Sequence, residues 1–178
     1  CSYIFPCLHQ INLQTLYFLD LLLPNPFVFQ HNGHYTIHYE PGESRSNMFG
    51  GNSNWRGPIW MPLNYMIIQS LRKYYTFYGP TYQYEFPTGS GKKLNLNEIA
   101  NELTKRLVRL FEPNSEGKFQ YHADDRNKLF SKDEHFKNQH LFYEFFDGDN
   151  GKGLGASHQT GWTALIANLI MEMDESES

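Results

Sequence analysis

A chain of 178 residues is long enough to bury a core, and its net charge of −4 without a long basic stretch argues against nucleic acid or an anionic membrane as main partner. Aromatic residues make up 16% and charged residues 19%, a balance that suits buried or carbohydrate-facing surface rather than a solvated tail. Asp20 and the pair Pro24 and Pro26 interrupt the apolar stretch Leu16–Leu23, so no membrane span is expected.

Cys1 and Cys7 lie together at the start and give neither a disulfide framework nor a four-ligand metal site. No metal and no redox cofactor is expected. The absence of any Asn-x-Ser/Thr sequon weighs against a glycosylated secretory protein, and the missing initiator Met makes the chain read as a fragment.

Residues 1–25 form an apolar segment with scattered Asn and Gln and no clear relation to the rest of the chain. From Pro26 the pattern sharpens. Phe27–Gln30 and Tyr35–Tyr39 alternate apolar and polar residues around His31-Asn32-Gly33-His34, which predicts a small β-hairpin. His34 and His38 lie in this extended stretch without a zincin glutamate and read as surface histidines. Glu40 to Trp60 is then a long loop, and a long ordered loop in a compact domain usually serves function. It holds Gly50-Gly51-Asn52-Ser53-Asn54-Trp55-Arg56-Gly57-Pro58-Ile59-Trp60. Flat indole faces beside a guanidinium and amides suit a sugar, whose C–H faces stack and whose hydroxyls take hydrogen bonds.

Three helices come next. The first spans about Leu63 to Tyr78, with Tyr65, Ile67, Ile68, Leu71, Tyr74 and Tyr75 on its apolar side and Gly79-Pro80 as its stop. Tyr82 to Lys93 reads as loop; its Gly89-Ser90-Gly91-Lys92-Lys93 lacks the first glycine and the Ser/Thr of a phosphate loop. The second helix runs from about Leu96 to Phe111, burying Ile99, Leu103, Leu107 and Leu110 and capped by Asn95 or Asn97. Glu112 to Asn138 is a polar, turn-rich excursion. The third helix begins near Ser157 and ends about Met173, burying Trp162, Leu165, Ile166, Leu169 and Ile170, and an acidic tail closes the chain over 174–178.

Before that third helix, Glu144 stands among Phe142, Tyr143, Phe145 and Phe146. A buried carboxylate needs a partner or a task, so catalysis, a structural ion pair and the exposed face of a short strand all remain open. Asp147-Gly148-Asp149-Asn150-Gly151 departs from the calcium-loop pattern and reads as a solvated turn. Gly155 to Trp162 then delivers His158, Gln159 and Trp162 at a helix start, either as a sugar-facing turn or as a capped core tryptophan.

Taken together, Asn54–Trp60, Tyr143-Glu144 and Gly155–Trp162 resemble the C-terminal part of glycoside hydrolase family 63, nearest its microbial glucosidase-like branch. Tyr39-Glu40-Pro41, Phe49-Gly50-Gly51 and Phe86-Pro87-Thr88-Gly89 extend the resemblance from about Pro26 to Ile170. It implies a mostly α fold: residues 26–173 as part of an (α/α)6-barrel catalytic domain that cleaves α-linked glucose from oligosaccharides with inversion. On this resemblance Glu144 falls on the general base. Trp55, Arg56, Trp60, Gln159 and Trp162 fall near the glucosyl subsite.

An inverting hydrolase needs an acid for the leaving oxygen and a base for the water. The resembled family carries its acid, an Asp, earlier in the barrel. Here the sole carboxylate before Glu40 is Asp20, in a segment that matches nothing, so the role does not carry over. The expectation is an inactive isolated chain, whose partners are the oligosaccharide and the remainder of the barrel. A non-catalytic carbohydrate-binding module and a trehalase-like glycosidase are the alternatives. The family's eukaryotic processing enzymes work in the endoplasmic reticulum; without a visible signal, the cytoplasm is favoured for this chain.

Overall fold

The computed structural model describes residues 27–37, 39–45, 55, 57–87, 89–122, 129–130, 132–136 and 139–177. The segment 1–25 with Asp20, and the site candidate Arg56, lie outside the described residues, as does His38.

The hairpin forms as its sequence predicts. Strands β1 (Phe27–Gln30) and β2 (His34–Ile37) pair antiparallel, with Gln30 opposite His34. Asn32 takes the turn at a positive φ of 48°, a conformation asparagine tolerates better than most residues.

Helix α1 (Met61–Tyr78) starts two residues earlier than its pattern suggests. Pro62 permits this, because the first-turn amides have no intrahelical partner to lose. The helix stops at Gly79, whose φ of 72° suits glycine and whose amide donates to the Tyr75 carbonyl at 2.8 Å. Ile68 and Leu71 are buried and Tyr65, Ile67 and Tyr75 pack beside them, whereas Tyr74 is exposed rather than in the core.

The stretch from Tyr82 to Lys93, expected as loop, instead contains a second hairpin. Strand β3 (Gln83–Glu85) pairs with β4 (Lys93–Asn95), and the intervening turn is held by the Gly91 amide on Glu85 Oε1 at 2.6 Å. Strand β4 feeds directly into α2 (Leu96–Arg109). Asn95 Oδ1 accepts from the Asn97 and Glu98 amides at 3.0 Å each, and Glu98 Oε2 accepts from the Asn95 amide at 2.7 Å. This reciprocal box satisfies donors that a bare helix start would leave open.

In the 112–138 excursion, the described residues 112–118 are exposed, as expected. Tyr121 and His122 turn inward, and His122 stacks on Phe130 with centroids 4.3 Å apart. Beyond it, the two-residue strands β5 (Phe145–Phe146) and β6 (Gly153–Leu154) pair antiparallel. The helix expected from Ser157 is split: α3 (Thr160–Thr163) is followed by α4 (Leu165–Glu177). It starts late because 156–159 are engaged elsewhere. The Ala156 carbonyl accepts from the Glu144 amide at 2.8 Å, and the Gln159 amide donates to the Phe142 carbonyl at 2.7 Å. At the far end α4 stays helical to Glu177 rather than fraying after Met173.

Helices α1, α2 and α4 pack around Ile68, Leu71, Ile99, Leu103, Leu107, Ile166 and Leu169, with Tyr121, Tyr143 and Phe146 closing the core. Leu165 packs beside this core, but Ile170 is exposed. Glu172 on α4 receives Arg72 and Gln69 of α1, tying the two helices at their rim. The described residues are therefore mixed, three long helices, the single-turn α3 and three small antiparallel pairs, rather than mostly helical. None of their helices is long and apolar enough to cross a membrane.

Candidate active site

Strand β5 and the residues just before it organise the site. On one edge, Phe146 exchanges both backbone bonds with Ile59, at 2.7 and 3.0 Å, which docks the end of the Trp-Arg-Gly-Pro loop onto the strand. On the other, 142–146 pair with 153–159. Two glycines let the chains approach. A Cβ on Gly57 would lie 1.5 Å from the Glu40 carbonyl oxygen, and a Cβ on Gly153 would lie 2.3 Å from the Tyr143 ring. Only a hydrogen fits in either place.

The three tryptophans singled out in the sequence gather here. Trp55 and Trp60 stack almost parallel, centroids 4.4 Å apart and planes 3° apart, and Phe145 stacks on the other face of Trp60 at 4.4 Å. Trp162 meets both indoles edge-on at 5.9 Å. Trp60 is therefore sandwiched, with 1% of its surface exposed, while Trp55 at 44% offers its outer face to solvent and Trp162 is half-buried. Such stacks add stabilisation beyond simple area burial.

Glu144 lies one residue before Phe145, and a Cβ placed on Gly155 would touch both its Oε2 and the Phe145 ring, so the carboxylate sits near the end of this stack. Tyr143, Phe145 and Phe146 are buried but Glu144 is half-buried, so its carboxylate reaches the surface rather than the core. Its Oε2 accepts from the Ala156 amide at 3.1 Å, and its own amide donates to the Ala156 carbonyl at 2.8 Å. Gly155 makes the floor beneath it. Its φ is +69°, and a Cβ there would lie 2.6 Å from Glu144 Oε2 and 2.8 Å from Phe145 Cε1. Gln159, half-buried at the start of α3, uses its carbonyl to accept from the Trp162 and Thr163 amides, at 3.1 and 3.0 Å.

Glu40 carries no role in the sequence reading beyond its place in Tyr39-Glu40-Pro41. In the structure it is 2% exposed, with its backbone carbonyl against Gly57, and its Oε1 accepts from the Arg45 amide at 3.3 Å. Its neighbour Tyr39 donates its hydroxyl to Asp149 Oδ1 at 2.7 Å. Burial, and next the bond to Asp149, push the Tyr39 hydroxyl well above the usual tyrosine range. The signal available for Glu40 was a charged residue between an aromatic and a proline, too weak to mark burial.

Asp147 closes the β5–β6 turn by accepting the Asp149 and Asn150 amides on one oxygen, at 2.9 and 3.1 Å; Asp149 and Asn150 are exposed, as a solvated turn requires, but Gly148 and Gly151 are buried. Among the described residues, no three His, Cys, Asp or Glu side chains cluster as metal ligands.

Comparison with known proteins gives consistent results. Residues 42–112 match the model of the glycosyl hydrolase family 63 C-terminal domain. The chain is 49% identical over 150 residues, 84% of its length, to the uncharacterized protein YMR196W of Saccharomyces cerevisiae. It is 28% identical over 127 residues to mannosyl-oligosaccharide glucosidase from the same yeast, and 29% identical over 118 residues to alpha-glucosidase 2 of Arabidopsis thaliana. These alignments take in 71% and 66% of this chain. The chain spans 14%, 12% and 11% of the three relatives.

Proposed function

The chain is a glycoside hydrolase family 63 sequence, matched in that family's C-terminal domain, and on this premise we propose that it supplies the base-bearing part of an inverting α-glucosidase-type active site. Residues 26–173 form part of an (α/α)6 barrel completed by the remainder of a longer polypeptide. The substrate is an oligosaccharide ending in α-linked glucose.

The observation that carries this reading is the placement of Glu144 directly before Phe145 in the Phe145–Trp60–Trp55 stack, with its carboxylate oriented by the Ala156 amide. Glu144 takes a proton from water as the water attacks the anomeric carbon. Half-buried and oriented by the Ala156 amide, the carboxylate is within reach of water, as a base requires. The outer face of Trp55 and the exposed part of Trp162 stack against the glucosyl ring, Trp60 supports Trp55 from behind, and Arg56 and Gln159 serve the sugar hydroxyls. The general acid comes from outside this chain, with its carboxyl about 6.5–9.5 Å from that of Glu144 to leave room for the water.

The test compares the full-length polypeptide with residues 1–178 alone on kojibiose, nigerose and trehalose, following the anomer released by proton NMR. The full-length polypeptide should release β-glucose from an α-glucoside while the isolated chain releases none. Turnover by the isolated chain, or α-glucose as first product, contradicts the reading. Sugar binding without turnover by the full-length polypeptide would favour a carbohydrate-binding module instead.

A further inference from the structure

Hydroxyl side chains inside helices can bond back to the carbonyl four residues earlier, and among the described residues three do so. Ser70 bonds the Met66 carbonyl at 2.7 Å, Thr76 the Arg72 carbonyl at 3.1 Å and Thr104 the Ala100 carbonyl at 2.9 Å. Thr163 differs. Its hydroxyl leaves α3 and donates to the Tyr143 carbonyl, twenty residues back in sequence, while the Gln159 carbonyl takes the Thr163 amide instead. Thr163 is 0% exposed and Tyr143 is buried with it, so water does not compete for this bond.

The bond joins two residues that flank site groups. Tyr143 immediately precedes Glu144, and Thr163 immediately follows Trp162. Trp162 in turn abuts Trp55 and Trp60 edge-on. The remaining ties of this stretch, Glu144 to Ala156 and Gln159 to Phe142, fix the two backbones along their length. The Thr163 bond adds a side-chain tie from within α3 itself to the residue before the carboxylate.

We infer that Thr163 is a positioning residue for catalysis: its hydroxyl bond to Tyr143 fixes the separation between the Glu144 carboxylate and Trp162, the sugar-stacking indole that precedes it on α3. This rests on the reading of Glu144 as general base. A bound glucosyl ring is placed by the tryptophans and the water by Glu144, so their separation decides whether the water meets the anomeric carbon in line. Binding, which the outer face of Trp55 shares, depends on it less. Loss of the hydroxyl therefore acts on the chemical step more than on affinity.

The experiment uses the full-length polypeptide with 4-nitrophenyl α-D-glucopyranoside and kojibiose, comparing wild type, Thr163→Val, Thr163→Ser and Glu144→Gln. Thr163→Val keeps the shape and removes the hydroxyl. Its kcat should fall roughly tenfold or more, because a misplacement of about 1 Å between reacting groups is costly, while KM stays within about threefold. The acid limb of its kcat/KM profile should stay at the wild-type pH, since the hydroxyl acts on geometry and not on ionisation. Thr163→Ser restores the donor and should restore kcat. Wild-type kcat in Thr163→Val, or a serine variant as slow as the valine variant, overturns the inference; the serine arm decides even if valine prevents folding. Glu144→Gln separates the two claims: if it stays active, the base reading itself has failed. If it is inactive while Thr163→Val is normal, only the positioning role is lost.

Discussion

Replacing Gly155 by alanine probes the carboxylate's seat most directly. Two costs are expected. The φ of +69° strains any L side chain by about 1–2 kcal/mol. The added Cβ also falls 2.6 Å from Glu144 Oε2 and 2.8 Å from Phe145 Cε1. The carboxylate can swing aside, but Phe145 is fully buried and stacked on Trp60, so the ring cannot. Overpacking of this kind adds about 1–3 kcal/mol. Gly117 supplies the control: its φ is +72° and nothing lies within 4 Å of its Cβ position, so Gly117→Ala carries only the strain. Urea titration should therefore place Gly155→Ala below Gly117→Ala by about 1–3 kcal/mol with an unchanged m-value. Equal losses for the two variants would refute the packing of Gly155 against Glu144 and Phe145.

Asn95→Ala removes the acceptor for two amides of the α2 capping box and should cost about 1 kcal/mol in the same titration. Alkaline pH should destabilise the protein. The Tyr39 hydroxyl is held above its unfolded range, so the folded state keeps a proton that the unfolded chain releases from about pH 10 upward. That stabilisation is complete below about pH 10 and declines as pH rises, and Tyr39→Phe should flatten the decline seen by thermal melting.

Local signals carried far in this chain. The Asn32-Gly33 turn, a cap at Asn95 or Asn97 and the Ile99–Leu103–Leu107 stripe each depend on neighbours within a few residues; turn and stripe appear where expected, and Asn95 is the residue that caps. Features set by distant pairing did not show. The helix start at Thr160 was hidden because 156–159 are drawn off by 142–144, a contact no local pattern records. The β3–β4 pair escaped notice because its strands are three residues long and half-exposed, too short for alternation to register. Within the site, the sequence pointed to Trp55, Trp60, Trp162 and Glu144 together. It could not tell which indole is covered: Trp60 is sandwiched because Phe145 reaches it through the Ile59–Phe146 pairing. Nor did a threonine inside a helix start announce that its hydroxyl would cross to Tyr143.

The central claim is that Glu144 activates the attacking water. Steady-state kinetics of Glu144→Gln in the full-length polypeptide, on an α-glucoside the wild type cleaves, tests it most directly. Glutamine keeps the size and can still accept the Ala156 amide, but it cannot take a proton. The account predicts a kcat lower by about 10²–10⁴-fold with KM nearly unchanged, the usual share of a general base. A kcat within a few-fold of wild type would contradict it.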